Sequence, residues 1–280
     1  MASDPPLPDY APMLRAFHRG FAVELEAMID QLPIEPGHRV LEVACGDGAY
    51  TPWLARKAGQ SGLVVGLDLS RSFLKLADRE ASKIESDSPG SSETRLVAAS
   101  IERMPFPSGS FDVVWCAQSL FSLPEPLEAV LRMTEMAKPG GLVAVLEDDT
   151  LHQVLLPWPI DVELAVRTAE WESISEGIEH PRKFYIGRRL ADLFHQAGLV
   201  DLRVRTFAAD RMAPLDPATR TFFAEYLKRI RENVGPKMAP ESRGQLERFV
   251  DPGSTDYLLD APTLAATVID HVVQGRKPRL

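Results

Sequence analysis

Five short apolar runs alternate with segments of helical periodicity between residues 39 and 147. The runs are rich in Val and Leu and show little polar alternation, which is typical of strands buried on both faces of a sheet. Regular alternation of strand and helix favours parallel strands, because a helix between two strands can carry the chain back to the end of the sheet where the next parallel strand begins. The strands are predicted at residues 39–44, 63–68, 95–99, 111–116 and 142–146. We therefore expect an α/β fold with a doubly wound, mostly parallel sheet.

The composition narrows the class of protein. Hydrophobic residues make up 45% and charged residues 25% of 280, which excludes disordered and fibrous chains. A net charge of -9 argues against a nucleic-acid partner. The N-terminal MASDPPLPD lacks the features of a signal peptide, and no apolar run reaches the ~18 residues of a membrane span, so we expect a cytoplasmic protein. Two cysteines are too few for a disulfide scaffold or a usual zinc site, and no metal is expected.

A glycine turn follows the first predicted strand. Cys45-Gly46-Asp47-Gly48 leads into a helix predicted to begin near residue 50. Glycine lets the backbone come close to a ligand, and the free N–H groups of the helix behind it can bind an anion. Asp68 ends the second strand, where an acid can accept hydrogen bonds from both hydroxyls of a ribose. The pattern indicates a nucleoside-bearing ligand, either a dinucleotide or a shorter molecule.

Two residues distinguish between those ligands. The dinucleotide pattern G-x-G-x-x-G needs a third glycine where this chain has Thr51. Glu42 precedes the turn, and its carboxylate would repel a pyrophosphate but attract the ammonium of a ligand that carries an amino acid. An NAD(P)-dependent oxidoreductase is therefore the disfavoured alternative.

The turn belongs to a longer series of motifs. Glu-Val-Ala-Cys-Gly-Asp-Gly at 42–48 resembles the first motif of class I S-adenosylmethionine-dependent methyltransferases. Further blocks resemble later motifs of that family in the same order, at 64–70, 99–107, 110–114 and 138–141. The likeness is greatest to the small-molecule branch that includes the ubiquinone and menaquinone biosynthesis methyltransferases. The resemblance implies S-adenosylmethionine as cofactor and S-adenosylhomocysteine as product.

The resemblance also implies a division of the chain. The expected fold is a Rossmann-like sheet of about seven strands, mostly parallel with one antiparallel strand, carrying helical lid insertions. A sixth strand is predicted at 199–207 and a last one at 264–273. The predicted units are an N-terminal helical cap at 1–37 (with one amphipathic helix over 11–32), a cofactor-binding core at 38–150, a helical insertion at 151–186, a core helix with strand six at 187–208, a helical lid insertion at 209–262, and a last strand with tail at 263–280.

The family's cofactor contacts carry over position by position. Asp68 would bind the ribose hydroxyls, and Leu69 would pack on the adenine. Ser100 and Ile101 would meet the adenine edge. The other residues implied, at the methionine end of the cofactor or its carboxylate, are Glu42, Ala44, Gly46, Gly48, Ala117, Gln118, Tyr10 and Arg15.

Three positions depart from the family pattern. Ala44 replaces the commoner Gly, Ser100 replaces the usual Asp at the adenine amine, and Ser122 stands where relatives often have His. These departures keep open a third possibility, a non-catalytic binding protein with a methyltransferase fold.

The transferred methyl would pass by SN2 displacement to an O, N or C nucleophile. A general base is needed only if that nucleophile carries a proton. The candidates are Asp148 and His152, which follow the fifth strand near its carboxyl end, and His18 on the N-terminal helix. The insertions at 151–186 and 209–262 bear many aromatic residues, which favours a lid over an apolar pocket and a small aromatic or apolar substrate.

Overall fold

The computed structural model of the protein describes residues 7–87, 90–123, 125–150, 152–176 and 181–279. Seven long strands and one two-residue strand form a single sheet. The strands are β1 (Arg39–Val43), β2 (Leu63–Asp68), β3 (Glu93–Ala98), β4 (Phe111–Ala117), β5 (Ala137–Glu147), β6 (Val154–Leu155), β7 (Val200–Met212) and β8 (Ala265–Arg276).

The long strands lie in the order β3-β2-β1-β4-β5-β8-β7. β1 to β5 are parallel, whereas β8 runs antiparallel to both of its long neighbours, β5 and β7. The short β6 also pairs with β8, through Val154 and Val268. The predicted Rossmann-like sheet of about seven strands with one antiparallel strand is confirmed.

Nine α-helices cover the sheet within the described ranges. They are α1 (Ala11–Gly20), α2 (Ala22–Asp30), α3 (Thr51–Ala58), α4 (Arg71–Asp87), α5 (Pro126–Met136), α6 (Ile160–Ser175), α7 (Leu190–Gln196), α8 (Pro217–Arg229) and α9 (Pro240–Val250). α8 continues into a π-helical turn, Ile230–Val234. Across these same ranges, no helix combines the length and the apolar character that crossing a bilayer requires.

Both faces of the central strands are buried, because successive side chains of a strand point to opposite sides. On what we call the first face, Val40, Trp115 and Ala144 pack against α1, α2, α3, α6, α8 and α9. On the second face, the side chains next to them, Leu41, Val114 and Val145, pack against α5 and α7. This two-sided burial explains why the strands read as continuous apolar runs.

The N-terminal helix differs from its prediction. Residues 11–32 were expected to form one helix, but α1 ends at Gly20 and α2 begins at Ala22. A Cβ at Gly20 would lie 2.9 Å from Thr219 Oγ1, so glycine lets the start of α8 approach this break. The rings of Phe17 and Phe21 each lie 5.4 Å from Phe222 on α8. The break therefore allows the N-terminal helices to pack against the 209–262 insertion.

The sixth long strand is longer than predicted. β7 continues to Met212 because its backbone stays paired with β8 as far as Ala265. Most of its side chains are exposed, since it is the edge strand of the sheet. Backbone pairing with a distant strand, rather than an apolar pattern, holds its second half in place.

Candidate active site

The glycine turn after β1 has the conformation that its sequence requires. Ala44, Gly46 and Gly48 have φ values of 54°, 54° and 78°, in the left-handed region that favours glycine. A Cβ at Gly48 would lie 2.9 Å from Ala77, so this glycine allows α4 to pack against the turn. A Cβ at Gly46 would meet nothing within 4 Å, which means that the backbone there faces open space.

Asp68, at the end of β2, is joined to the turn by backbone hydrogen bonds. Its Oδ2 accepts from the Gly46 N–H at 2.9 Å, and its Oδ1 accepts from the Ser70 N–H at 2.7 Å. Burial raises the pKa of the Asp68 carboxyl, and these backbone N–H groups offset part of that rise. The carboxylate is held in one orientation, with lone pairs still available to further donors.

Glu42 is almost completely buried in β1, on the first face. Thr51 Oγ1 donates to its Oε2 at 2.5 Å, but Oε1 is buried with no hydrogen-bond partner among the described residues. Burial, with smaller contributions from the charges of Asp47 and Asp68, raises the pKa of Glu42 to about 8. Its sheet neighbour Trp115 also has a buried Nε1 that finds no partner in the described chain. Such atoms are costly unless a ligand satisfies them.

Helix α1 lies over the turn. His18 Nδ1 is 3.4 Å from Asp47 Oδ1, and the His18 ring meets Tyr50 edge-on at 5.4 Å. Burial raises the pKa of Asp47, but contact with His18 and the nearby charge of Arg15 bring it below its ordinary value. At the start of α1, burial and the charge of Asp68 raise the pKa of the Tyr10 phenol. The structure thus brings Tyr10 near Asp68, and Arg15 and His18 near Asp47.

The end of β4 closes the other side of the turn. Gln118 has a φ of 49°, and its backbone N–H donates to Leu146 O at 2.8 Å. The Tyr50 hydroxyl donates to Gln118 Oε1 at 3.4 Å, and the Tyr50 ring lies 5.7 Å from Trp115. Ala117 packs against the apolar cluster of the first face. We call Glu42, the turn 44–48 and Asp68 the cofactor side of the site.

A second acidic centre lies across Gln118 from the turn. Asp148 follows β5 and Asp270 lies in β8; because Glu147 pairs with His271, these two acids are neighbours on the first face. The Gln118 side chain lies near Asp270 and offsets part of the rise in the pKa of that carboxyl. Burial raises the pKa of Asp148 to about 7 and that of Asp270 to about 8, in the latter case with help from the charge of Asp148.

A cluster of buried ion pairs stands behind Asp148. Arg167 on α6 donates to Glu163 Oε1 at 2.6 Å and to Glu170 Oε2 at 2.8 Å. Arg229, at the end of α8, donates to Glu170 Oε1 at 3.3 Å and lies over the ring of Tyr226. We call Asp148, Asp270 and this ion-pair cluster the acceptor side of the site.

The acids on either side of Asp148 have structural partners. Glu147 Oε1 accepts from the N–H groups of Ser119 and Leu120, at 2.8 and 2.5 Å, and so holds the loop after β4. Asp149 forms a bidentate ion pair with Arg188, whose Nη2 lies 2.8 Å from Oδ1.

The remaining predicted residues lie at varied positions. Ile101 is buried at the start of a short 3₁₀ helix after β3, and Ser100 precedes it. Leu69 is 75% exposed beside Asp68. His152 is exposed near His271, which points to the second face, so the structure does not bring His152 together with Asp148 and His18.

Several residues of the site were missed from the sequence, namely Tyr50, Trp115, Arg167, Glu170, Arg229 and Asp270. Asp270 alone carried a signal, as an acid within the apolar run of the last strand. The others look like ordinary helix or strand residues until the helices are packed.

The model of the family described as "Methyltransferase domain" matches residues 41–145, which include β1, the glycine turn, Asp68 and β4. This match identifies residues 41–145 as a class I S-adenosylmethionine-dependent methyltransferase domain. The predicted family likeness, enzyme class and cofactor are confirmed: the chain is a small-molecule methyltransferase that uses S-adenosylmethionine, which becomes S-adenosylhomocysteine when its methyl group leaves.

This methyltransferase is distantly related to demethylmenaquinone methyltransferases. It is 29% identical to the one from Anoxybacillus flavithermus over 200 residues, which cover 69% of this chain and 82% of the relative. Among solved structures, the YcgJ protein from Bacillus subtilis has a TM-score of 0.56 at 15% identity, covering 92% of this chain and all of that one. Phosphoethanolamine N-methyltransferase 2 from Haemonchus contortus, a complex with S-adenosylhomocysteine, has a TM-score of 0.54 at 17% identity, covering 96% of this chain and 58% of that one. These two structures support the fold.

The residues of the cofactor side fit S-adenosylmethionine. The unsatisfied Glu42 Oε1 suits an ammonium, Asp68 suits ribose hydroxyls, and Gly46 leaves space in front of the backbone. Among the described residues, no group of three or more His, Cys, Asp or Glu side chains is arranged to hold a metal ion.

Proposed function

We propose that this methyltransferase transfers a methyl group to a nucleophilic O, N or C atom of a small aromatic or apolar molecule. The observation that carries the proposal is the buried Glu42 carboxyl, with Oε1 unsatisfied, beside an open glycine turn. An unpaired buried charge is destabilising, so a ligand cation that pairs with the Glu42 carboxylate would offset the cost of burying it.

The cofactor side would orient the donor as follows. Glu42 accepts from the methionine ammonium, Asp68 accepts from the ribose hydroxyls, and the exposed Leu69 covers the adenine. The other proposed contacts are Ala44, Gly46, Gly48, Ser100, Ile101, Ala117, Gln118, Tyr10 and Arg15. Tyr10 and Arg15 are the contacts that α1 supplies, and their positions near Asp68 and Asp47 support this role.

The chain's own part in the reaction is alignment and exclusion of water. When bound, S-adenosylmethionine supplies a methyl group already activated by the positive charge on its sulfur. Helix α1, held by the Phe17 and Phe222 contact to the 209–262 insertion, covers the turn and keeps solvent out. We propose that α1 and this insertion together form the lid.

A nucleophile that carries a proton needs an acceptor for it. Asp148 fits best, because its raised pKa of about 7 lies near physiological pH and it lies across Gln118 from the turn. His18 is the second candidate, although its contact with Asp47 places it at the lid. His152 is a weaker candidate because it is exposed away from both.

The aromatic side chains of the first face support an aromatic or apolar methyl acceptor. Tyr50, Trp115 and Tyr226 belong to the apolar cluster of the first face, the face that also carries Glu42 and Asp270. Such surface suits an aromatic or apolar body. The name of the demethylmenaquinone relatives points in the same direction.

Calorimetric titration with S-adenosylmethionine tests the proposal. The wild type should bind the cofactor and not NAD, and Asp68→Ala should weaken binding about tenfold or more, because charge-assisted hydrogen bonds are lost. Asp210→Ala, on exposed β7, is the matched control and should bind normally. A wild type that binds NAD and ignores S-adenosylmethionine would contradict the proposal.

A further inference from the structure

We propose that the methyl acceptor carries a protonated amine, and that the Asp270 and Asp148 carboxyls bind it and take up its proton. This inference rests on the proposed function, since it concerns the same site. The first ground is geometric. Asp148 directly follows β5 and Asp270 lies in the neighbouring strand β8, so both acids are on the first face, and Gln118 lies near Asp270.

The Asp270 carboxyl has an unfilled position for a donor. The residue is 3% exposed, and its Oδ1 is buried without a hydrogen-bond partner in the ranges that the structure describes. The Asp148 carboxyl, by contrast, is held by Gln153, whose Nε2 donates to Oδ2 at 2.6 Å. The pair therefore has an anchored member and a member that still needs a donor.

The acceptor side is also short of positive charge. Its two guanidinium groups, Arg167 and Arg229, are both hydrogen-bonded to Glu170, and Arg167 also to Glu163. The charge of Arg229 lowers the pKa of Asp148, whereas the neighbouring charge of Asp148 raises the pKa of Asp270. Asp270 is thus a buried carboxyl beside a second acid and lacks a cation of its own among the described residues, and a ligand ammonium would provide that cation.

Aromatic rings complete a site for an ammonium. Tyr50 hydrogen-bonds Gln118, which also contacts Asp270, and its phenol lies within the fields of both Asp270 and Glu42. Ring faces attract cations, most strongly where water is excluded. Tyr50 and Gln118 thus stand between the acid assigned to the donor and the acid assigned to the acceptor.

The proton and electrons balance as follows. The ammonium N–H loses its proton to the Asp270 carboxylate, which frees the nitrogen lone pair. That lone pair forms the bond to the methyl carbon while the carbon–sulfur bond breaks, and the bonding pair remains on sulfur as a neutral thioether. The Asp270 carboxyl is left protonated, with Asp148 as its neighbour to pass the proton on.

Binding of amine probes to the full chain tests this inference without any turnover. Benzylamine and phenethylamine are titrated calorimetrically into protein saturated with S-adenosylhomocysteine, alongside benzyl alcohol, phenethyl alcohol and phenol. At least one amine should bind at least tenfold more tightly than its matched alcohol and than phenol. Asp270→Asn should remove that preference while leaving the affinity for S-adenosylhomocysteine unchanged.

Controls separate recognition from folding. Asp210→Asn, an exposed change on the neighbouring strand β7, should keep the amine preference, and unfolding curves show whether each variant is folded. Equal binding of amine and alcohol, tighter binding of phenol, no binding of either amine, or an unchanged preference in Asp270→Asn would each overturn the amine inference. Failure of the wild type to bind S-adenosylhomocysteine would instead overturn the proposed function.

Discussion

The cofactor side and the acceptor side of this site both contain buried acids. The partners of those acids are close in sequence on the cofactor side and far apart in sequence on the acceptor side. Asp68 accepts from the backbone of Gly46 and Ser70, and Glu42 from Thr51, all within 22 residues. Asp148 and Asp270 meet only because β5 pairs with β8, and Glu170 meets Arg229 across 59 residues. The cofactor side is thus a local construction, whereas the acceptor side depends on how distant elements pack.

The largest effect is expected from a substitution that disrupts the ion pairs of the acceptor side and leaves the cofactor side intact. Arg167→Met leaves Glu170, which is 1% exposed, without its main partner. We expect unfolding to need about 3–5 kcal/mol less free energy, measured by urea denaturation. Arg132→Met, in an exposed cluster on α5, should cost less than about 1 kcal/mol. Similar losses in both variants would refute the difference between the two regions.

The next prediction separates binding from stability on the cofactor side. Glu42→Gln should weaken S-adenosylmethionine binding by about 1.5–3 kcal/mol, because the charged acceptor is removed. The same change should leave the protein as stable or more stable at pH 9, since burial disfavours the Glu42 charge. Calorimetry and urea unfolding measure the two quantities, and Glu172→Gln at an exposed position of α6 serves as control. If Glu42→Gln lowered both the cofactor affinity and the stability, Glu42 would stabilise the fold instead of acting only on the ligand.

A pH series sharpens the contrast on the acceptor side. The pKa of Asp270 rises to about 8 in the folded protein, so the folded state keeps a proton that the unfolded chain releases near pH 4. Stability from this group is therefore fully present below about pH 4 and is lost as pH rises through about 8. Asp270→Asn should make the loss between pH 5 and pH 9 smaller by about 1 kcal/mol or more.

Urea midpoints at pH 5, 7 and 9 provide the measurement for that series. Asp210→Asn should retain the wild-type slope, because Asp210 is exposed and accepts from Thr267 at the surface. If the stability of Asp270→Asn fell with pH as steeply as that of the wild type, the pKa of Asp270 would be the same in the folded and unfolded states, against the prediction.

The smallest effect concerns the turn itself. Ala44 has a φ of 54°, a conformation that costs a non-glycine residue about 1 kcal/mol. Ala44→Gly should therefore stabilise the protein by up to about 1 kcal/mol. Ala165→Gly, within α6, should instead destabilise it by about the same amount. Thermal unfolding distinguishes the two, and a destabilised Ala44→Gly would contradict the strain assigned to this turn.

Most of the central sheet was predictable from the chain because the signals are local. Each parallel strand is a short apolar run, and the Gly46 and Gly48 turn appears in consecutive residues. The break at Gly20 and the second half of β7 were not predictable in this way. Both depend on partners far along the chain, Thr219 for the first and the paired strand β8 for the second.

The sequence by itself determined the alternating α/β core, the glycine turn, and the acids Glu42 and Asp68 beside it. Those features follow from backbone conformation and periodicity, which neighbouring residues set. Only the tertiary structure decided that Asp270 lies beside Asp148, that Gln118 links it to Tyr50, and that α1 closes on α8. Burial and unsatisfied hydrogen bonds arise when distant segments exclude water together, so no single stretch of chain records them.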